Sequence, residues 1–184
     1  LYATNSTGSA WSETAPTFAA GRIIYVATNG LHNSPFTSGG DAATNIHDAL
    51  AVAATADEVW VSNGVFAVTN ALVLDWGIAV RGINGRDVTT VYRRGNWTNS
   101  VFILTHDEAL VEGLTITNGF NTTNTGGGVF MTAGTVRDCH ITMNTGRRGG
   151  GVGMTGGRLE YCLISSHKES SGLGDAYQYY GGGI

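Results

Sequence analysis

Proline and charged residues are scarce in this sequence. Its 184 residues hold 2 prolines against 28 glycines, which excludes a collagen-like repeat and a proline-rich disordered chain. Charged residues make up 13% and form no basic run, so a nucleic-acid partner is not expected. No apolar stretch reaches about 18 residues, so no transmembrane segment is expected either. Many glycines with few prolines instead indicate a folded chain with many tight turns.

A glycine repeat near the C-terminus indicates how the chain is built. The sequence Gly-Gly-Gly-Val of residues 126–129 returns at 149–152, and Gly181-Gly182-Gly183-Ile184 begins a further copy. A period of about 20 to 50 residues is typical of a solenoid, in which each repeat stacks on the one before. The last copy opens a coil that the sequence does not complete, so we expect an incomplete C-terminal coil.

Apolar residues recur in fixed slots although their spacing drifts. The first series comprises Val80-Arg81-Gly82-Ile83, Val111-Glu112-Gly113-Leu114, Val136-Arg137-Asp138-Cys139 and Leu159-Glu160-Tyr161-Cys162. Further slots are Ile116, Ile141 and Ile164, and then Val101, Val129, Val152 and Ile184. This pattern predicts a constant core cross-section with loops of changing length. The charged residues of the first series alternate in sign, and we expect them to pair between neighbouring coils and to support the register.

One segment has the periodicity of a helix. Ile46, Ala49, Leu50 and Ala53 recur at the spacing of one helix face, and Asp41 or Thr44 is placed to cap its start. We predict this helix over about 43–55, after an irregular lead-in over 1–21. Short strands are predicted over about 58–184, so residues 22–184 would form one domain.

Two repeat folds compete for this pattern. A leucine-rich repeat has a comparable period, but its second half is often helical. Six glycines within residues 149–157 disfavour a helix there by about 1 kcal/mol each. A parallel β-helix tolerates both the glycines and the irregular spacing. The sequence therefore predicts an all-β fold, a right-handed single-stranded parallel β-helix (solenoid) with an N-terminal amphipathic capping helix.

The order of elements resembles the pectate-lyase-like right-handed parallel β-helix superfamily. The resemblance rests on a short strand, a Gly/Asn loop, an amphipathic helix and then Val59-Trp60-Val61-Ser62-Asn63-Gly64-Val65-Phe66. It implies that the helix plugs the N-terminal end of the solenoid. The Gly-Gly-Gly-Val starts and Ile141-Thr142-Met143-Asn144 also resemble repeats of polymorphic outer-membrane and autotransporter-like surface proteins. The superfamily includes lyases, hydrolases, adhesins and scaffolds, so the resemblance implies a fold and leaves the function open.

Catalytic and metal-binding motifs are missing from the sequence. The resemblance implies clustered aspartates in an enzyme of this superfamily, and no acidic ladder recurs here, so no catalytic residue is predicted. Histidines and cysteines lack metal-ligand spacing, so no metal site and no cofactor are predicted. Cys139 and Cys162 occupy equivalent slots one coil apart. Stacked interior thiols are the favoured interpretation, although the spacing also fits the Cα range of a disulfide, about 4.4–6.8 Å.

The best candidate for a binding site is an edge where three loops leave the coil. Loops 117–125, 142–148 and 165–180 precede successive glycine starts and are expected to lie side by side. Their rings, guanidinium groups and carboxylates suit a carbohydrate, which packs apolar faces on rings and needs polar partners for its hydroxyls. The alternative is a long surface loop that tucks its own tyrosines onto the coil. The candidate ligand-binding residues are Arg147, Arg148, His167, Glu169, Asp175, Tyr177 and Tyr179.

These observations favour an extracellular or cell-surface structural or adhesive scaffold. It would self-associate end to end through the open C-terminal coil, or belong to a longer chain, and its partner would be a polysaccharide or a host or cell-surface glycan. The alternatives are a polysaccharide lyase or glycoside hydrolase, and a glycan-binding module without catalysis. Asn5, Asn96 and Asn121 lie in Asn-x-Ser/Thr sequons and are glycosylation candidates.

Overall fold

The computed structural model describes residues 2–5, 8–11, 21–95 and 98–170. They form one short helix, α1 (Ile46–Val52), and a succession of short strands. In chain order the first ten strands are β1 (Tyr2–Asn5), β2 (Gly8–Trp11), β3 (Ile23–Val26), β4 (Glu58–Val61), β5 (Gly64–Val68), β6 (Leu72–Leu74), β7 (Ala79–Gly82), β8 (Thr89–Arg93), β9 (Phe102–Leu104) and β10 (Leu110–Glu112). The others are β11 (Thr115–Thr117), β12 (Phe120–Thr125), β13 (Val129–Met131), β14 (Thr135–Arg137), β15 (His140–Thr142), β16 (Thr145–Arg148), β17 (Val152–Met154), β18 (Arg158–Glu160), β19 (Leu163–Ser165) and β20 (Lys168–Glu169).

The strands stack into four parallel sheets, and successive strands of the chain enter different sheets. Sheet 1 has the order β3-β4-β7-β10-β14-β18, and sheet 2 has the order β5-β8-β11-β15-β19. Sheet 3 has the order β6-β9-β13-β17, and sheet 4 has the order β12-β16-β20. Each coil of the chain therefore adds one strand to a sheet before the next coil begins. This is a parallel β-helix, so the predicted fold class is confirmed.

Inward-facing residues of sheets 1 and 2 explain why the coils stack. Alternate side chains of a strand point to one face, so residues at every second position of a strand enter the core. In sheet 1 the core column is Ile24, Val59, Val80, Val111, Val136 and Leu159 in register. In sheet 2 it is Phe66, Val91, Ile116, Ile141 and Ile164. The predicted slots at Val80 and Ile116 and at their equivalents are confirmed.

Two other predicted slots are wrong by a few residues. Ile83 is 45% exposed, whereas Thr89, the first residue of β8, is fully buried. The turn between β7 and β8 carries the chain outward before the core column resumes. In sheet 3, Val129 pairs with Phe102 rather than Val101. Val101 is also buried, so apolar character alone did not distinguish the two neighbours.

The triple glycines form a corner where neighbouring coils touch through their backbones. Gly126 has φ +76° and Gly149 has φ +60°, a region that a residue with a Cβ rarely adopts. A Cβ on Gly127 would lie 2.2 Å from the carbonyl oxygen of Thr145. The amide of Gly127 donates to the carbonyl of Gly150 at 3.0 Å, one coil further along the stack. Glycine is therefore required by backbone contact between coils.

Helix α1 covers the start of the solenoid. It contacts β3, β4 and β5, and its buried residues Ile46, Ala49 and Leu50 are those of the predicted stripe. The N-cap is Asn45, whose side chain accepts from the amide of Asp48 at 2.9 Å, rather than Asp41 or Thr44. Asparagine supplies the acceptor that the first turn of a helix lacks.

A salt bridge joins the end of this helix to sheet 1. The carboxylate of Asp57, 3% exposed, accepts the amides of Arg22 at 2.7 Å and Ala54 at 2.8 Å. The Arg22 guanidinium lies 2.7 Å from the same carboxylate and also donates to the carbonyl of Val52. Burial acts to raise the pKa of Asp57, but these hydrogen bonds and the charge of Arg22 together lower it. Asp57 therefore holds the capping helix as an ionised carboxylate.

The N-terminal residues differ from the prediction. Instead of an irregular lead-in over 1–21, β1 and β2 pair as an antiparallel hairpin, with Tyr2 opposite Trp11. Among the described residues no helix is long and apolar enough to cross a membrane.

Candidate functional site

The outward side chains of sheet 1 form a straight row across the coils. Two aromatic residues begin the row, and charged residues of alternating sign continue it. Outward positions of parallel strands in register lie about 4.8 Å apart, so neighbouring side chains along the row are within reach of one another. The row, called here the outer row, consists of Tyr25, Trp60, Arg81, Glu112, Arg137 and Glu160.

The aromatic end of the row is held in a fixed orientation. The rings of Tyr25 and Trp60 meet edge to face, with centroids 6.1 Å apart and planes at 75°. The indole Nε1 of Trp60 donates to the Glu58 carboxylate at 2.7 Å, which fixes the ring on the sheet surface. Trp60 is only partly buried, so part of its surface is available to a ligand.

Arginine side chains in the charged part of the row form ion pairs with neighbouring glutamates on sheet 1. Arg81 bridges Glu58, at 3.2 Å, and Glu112, and Arg137 reaches the other oxygen of Glu112 at 2.7 Å. The predicted pairing of Arg81, Glu112 and Arg137 is therefore found. Among the described residues no ion pair joins Arg137 to Glu160. A carboxylate held between two guanidinium groups has its hydrogen-bond capacity largely used, and it is poorly placed to act as acid or base.

An open groove runs beside the outer row. It has a volume of about 570 Å³ and lies between the row and the turns that follow β7 and β10. The exposed Ile83 and Asn84 and the carboxylate of Asp138 form its far side. Asp138 forms an ion pair with Arg86 at 3.2 Å. The lining residues are Trp60, Arg81, Gly82, Ile83, Asn84, Gly85, Glu112, Gly113 and Asp138.

The groove combines an aromatic ring, a side-chain amide and ion-paired charged groups. Such a combination is suited to recognise a sugar. The exposed part of Trp60 offers a surface for an apolar sugar face, and Asn84 and the ion-paired groups offer partners for hydroxyls. Arg81, the arginine among the lining residues, is paired with the carboxylates of Glu58 and Glu112, so the groove carries no excess positive charge. Among the described residues no group of three or more His, Cys, Asp or Glu side chains is placed to hold a metal ion.

The predicted ligand-binding edge has a different structure from the one expected. The segments expected as loops contain β12, β16 and β20, which pair side by side in sheet 4. Arg147 and Arg148 lie on β16 with exposed side chains. His167 is half-buried, and its Nδ1 accepts the backbone amide of Asn144 at 3.2 Å. Its partial burial lowers the pKa of His167.

The other predicted site residues are only partly described. Glu169 belongs to β20 by its backbone, and its pairing places it beside Gly146. Asp175, Tyr177 and Tyr179 lie outside the described residues, as does the glycosylation candidate Asn96. Asn5 ends β1. Asn121 is 5% exposed and donates its Nδ2 to Ser100 at 3.2 Å, so the folded chain does not present this amide to solvent.

Sequence reasoning missed the aromatic end of the outer row. The series of apolar slots evident in the sequence begins at Val80 and does not include the two preceding strands. Extending it by two coils would place Val59-Trp60 and Ile24-Tyr25 in the same frame as Val80-Arg81. The signal was therefore present, in the form of a large residue directly after each core valine or isoleucine.

A solved enzyme shares this fold. The structure of a pectin methylesterase point mutant in complex with a hexasaccharide superposes with a TM-score of 0.51 at 13% sequence identity. The match covers 76% of this chain and 48% of the esterase chain, so this chain spans about half of that protein's length. No protein family and no curated protein matches the sequence. At this identity the likeness shows the fold, a parallel β-helix. The resemblances to the pectate-lyase-like superfamily and to autotransporter-like repeats stay predictions.

Proposed function

We propose that this chain is an extracellular or cell-surface β-helix scaffold that binds polysaccharide along the outer row without cleaving it. The observation that carries the proposal is the groove in which the partly exposed Trp60 ring borders ion-paired polar groups. A saccharide ring packs on an aromatic face, and fixed polar groups beside it orient the hydroxyls. The solved neighbour with this fold holds a hexasaccharide, which supports a carbohydrate as the ligand class.

The charge of the groove bears on the kind of polysaccharide. Arg81, Arg86 and Arg137 are each paired with a carboxylate, and Glu58 and Glu112 share the arginines of the outer row. A uronate polymer would have to displace these carboxylates and would meet them as like charges. A neutral polysaccharide needs only hydroxyl contacts and leaves the ion pairs in place. We therefore expect neutral polysaccharides to bind more tightly than polyuronates.

The same ion pairs argue against catalysis in this groove. Glycoside hydrolysis needs two carboxyl groups in contrasting environments that flank the bond. Removal of a proton beside a uronate needs a free base. Glu58 and Glu112 both contact Arg81, and Asp138 contacts Arg86, so the carboxylates of the groove are engaged with arginines.

The proposal is tested by retention of the purified chain on a panel of immobilised neutral polysaccharides and polyuronates. Wild type is expected to be retained on a neutral member, and Trp60→Ala is expected to lose retention by about fivefold or more, since a stacked aromatic contributes about 1–3 kcal/mol. Tyr92→Ala is the matched control, because Tyr92 faces outward on sheet 2, away from the groove. Equal retention of wild type and Trp60→Ala would contradict the proposal.

The enzyme alternative is decided in the same assay. Soluble products from the panel are measured as reducing ends, unsaturated uronides and released methanol. We expect none above the level of heat-treated protein. Turnover that Glu112→Gln abolishes would replace the binding function with an enzymatic one.

End-to-end association is a separate part of the scaffold proposal. It was predicted to use the coil that begins at Gly181, which lies outside the described residues. Sedimentation velocity at rising concentration is the direct measurement. Growth of species larger than one chain would support association, and a single monomeric species at high concentration would count against it. Labelling of intact source cells with an antibody to the chain tests the proposed location.

A further inference from the structure

The two cysteines of the chain are stacked in neighbouring coils and have matching surroundings. Each is the last residue of the turn into sheet 2, directly before β15 or β19. The amide of Leu163, next to Cys162, donates to the carbonyl of Cys139 at 2.9 Å, so the two backbones are paired at this point. Both are free thiols.

The side chains of the pair point in the same direction. The sulfur of Cys139 lies 3.8 Å from the Val111 carbonyl oxygen, and that of Cys162 lies 3.4 Å from the Val136 carbonyl oxygen. Val111 and Val136 are themselves paired in sheet 1, so the two thiols repeat one geometry a coil apart. Paired backbones in a parallel sheet lie about 4.8 Å apart, within the Cα range of about 4.4–6.8 Å found in disulfides.

From this stacking we propose that Cys139 and Cys162 form a redox-active thiol pair that closes to a disulfide between two neighbouring coils, with Cys162 as the attacking thiol. The Cβ atoms must approach to about 3.8 Å for the bond to form. Both cysteines follow residues of positive φ, Asp138 at +47° and Tyr161 at +55°, so they lie in turns and not within strands. The turns allow this approach without breaking the ladder of sheet 1 or sheet 2.

The two thiols differ in their burial and in the direction of their pKa shifts, and an attacking thiol and its partner need this difference. Cys139 is fully buried, and its burial raises the pKa of its thiol. Cys162 is only partly buried, and a hydrogen bond from Cys139, aided by the charge of Arg86, lowers its pKa to about 7 against the effect of burial. The guanidinium of Arg86 is anchored there by the carbonyl of Tyr161 at 3.0 Å and by Asp138 at 3.2 Å. A thiolate attacks disulfides, whereas a thiol does not.

The proposed oxidation uses a small-molecule disulfide, such as glutathione disulfide, as oxidant. The Cys162 thiolate attacks one sulfur of the oxidant, forms a mixed disulfide and expels one small thiolate. Cys139 then gives its proton to solvent and attacks the sulfur of Cys162, which expels the second small thiolate. Two protein thiols and one small disulfide thus become one protein disulfide and two small thiols.

The stoichiometry of reaction with the aromatic disulfide 5,5′-dithiobis(2-nitrobenzoate) tests this sequence of steps on the native chain. Wild type is expected to release two thionitrobenzoate ions per chain and to keep no adduct. Cys139→Ser should release one ion and keep one adduct on Cys162. Cys162→Ser should react at least tenfold more slowly, because its remaining thiol is buried. One or two adducts retained on wild type, or no reaction at all, would overturn the proposal.

A second readout on wild type does not depend on the variants folding. After oxidation and trypsin digestion, mass spectrometry should find peptide 138–147 linked to peptide 159–168. Closing the loop between these cysteines is expected to raise the Tm by roughly 7–14 °C relative to the reduced chain. Absence of the linked peptide, or an unchanged Tm in a fully linked sample, would contradict a disulfide between the coils.

Discussion

Replacement of Asp57 is expected to loosen the capping helix and destabilise the whole solenoid. Its carboxylate accepts two backbone amides, at 2.7 and 2.8 Å, and the guanidinium of Arg22. Hydrogen bonds to a charged group contribute about 1.5–3 kcal/mol each, and removal of a buried partner tends to the upper end. Arg22 is 46% exposed, so water compensates part of its loss. We therefore expect Asp57→Ala to lower the free energy of unfolding by about 3 kcal/mol.

The urea midpoint at neutral pH measures this change. With a slope of about 2 kcal/mol per molar urea, a loss of about 3 kcal/mol corresponds to a midpoint shift of about 1.5 M. Asp87→Asn is the control, because Asp87 is an exposed residue of the turn after β7, and it should shift the midpoint little. A shift below about 0.5 M for Asp57→Ala would refute the reasoning.

The pH dependence of this difference in the free energy of unfolding tests the direction of the pKa shift of Asp57. The pKa of Asp57 is lower in the folded chain than in the unfolded chain, where it is about 3.9. The unfolded state therefore binds the proton first as the pH falls, and the stabilising contribution is complete above about pH 5. It is lost as the pH falls below 4 through the folded-state pKa. The difference between wild type and Asp57→Ala should shrink over that window, and a constant difference from pH 7 to pH 3 would contradict this assignment.

Two further predictions concern the stacking of the coils. Gly127→Ala places a Cβ 2.2 Å from the Thr145 carbonyl and should lower the free energy of unfolding in urea by about 3 kcal/mol. Gly39→Ala is the control, because Gly39 has open space around it, and should lower it by less than about 0.5 kcal/mol. Equal effects would contradict the close backbone contact. Glu112→Gln leaves Arg81 and Arg137 facing each other and should cost about 1 kcal/mol at low salt, and less at 1 M salt, where charges are screened. A cost that does not change with salt would argue against the ion-paired row.

The core of the fold could be read from the sequence because its signal is repeated. Val80, Val111 and Val136 each precede a charged residue and follow a turn, so their alignment needs no knowledge of the loops. The prediction at Ile83 was wrong because the loop before β8 is longer than its equivalents, and the core slot moves to Thr89. Repetition identifies a slot only where the neighbouring loops have similar lengths.

Sheet 4 could not be predicted from apolar pattern. Its central strand is Thr145–Arg148, with sequence Thr-Gly-Arg-Arg, and no apolar side chain marks it. It forms because neighbouring coils offer backbone partners, and such pairing depends on the other sheets being in register. The groove beside the outer row has the same origin. Trp60 lies on β4 and Asn84 in the turn after β7, and no sequence pattern links the two residues. The stacking of β4 on β7 brings them together.

The central claim is that a polysaccharide lies on Trp60 in the groove of sheet 1. The most direct measurement is the indole Nε1–H resonance of Trp60 in a ¹⁵N–¹H spectrum, during titration with oligosaccharide from a retained polysaccharide. Trp76, whose indole nitrogen is buried, serves as the internal reference. We predict that the Trp60 resonance shifts in a saturable way while that of Trp76 stays in place. A Trp60 resonance that does not move while the chain is shown to bind the oligosaccharide would contradict the account.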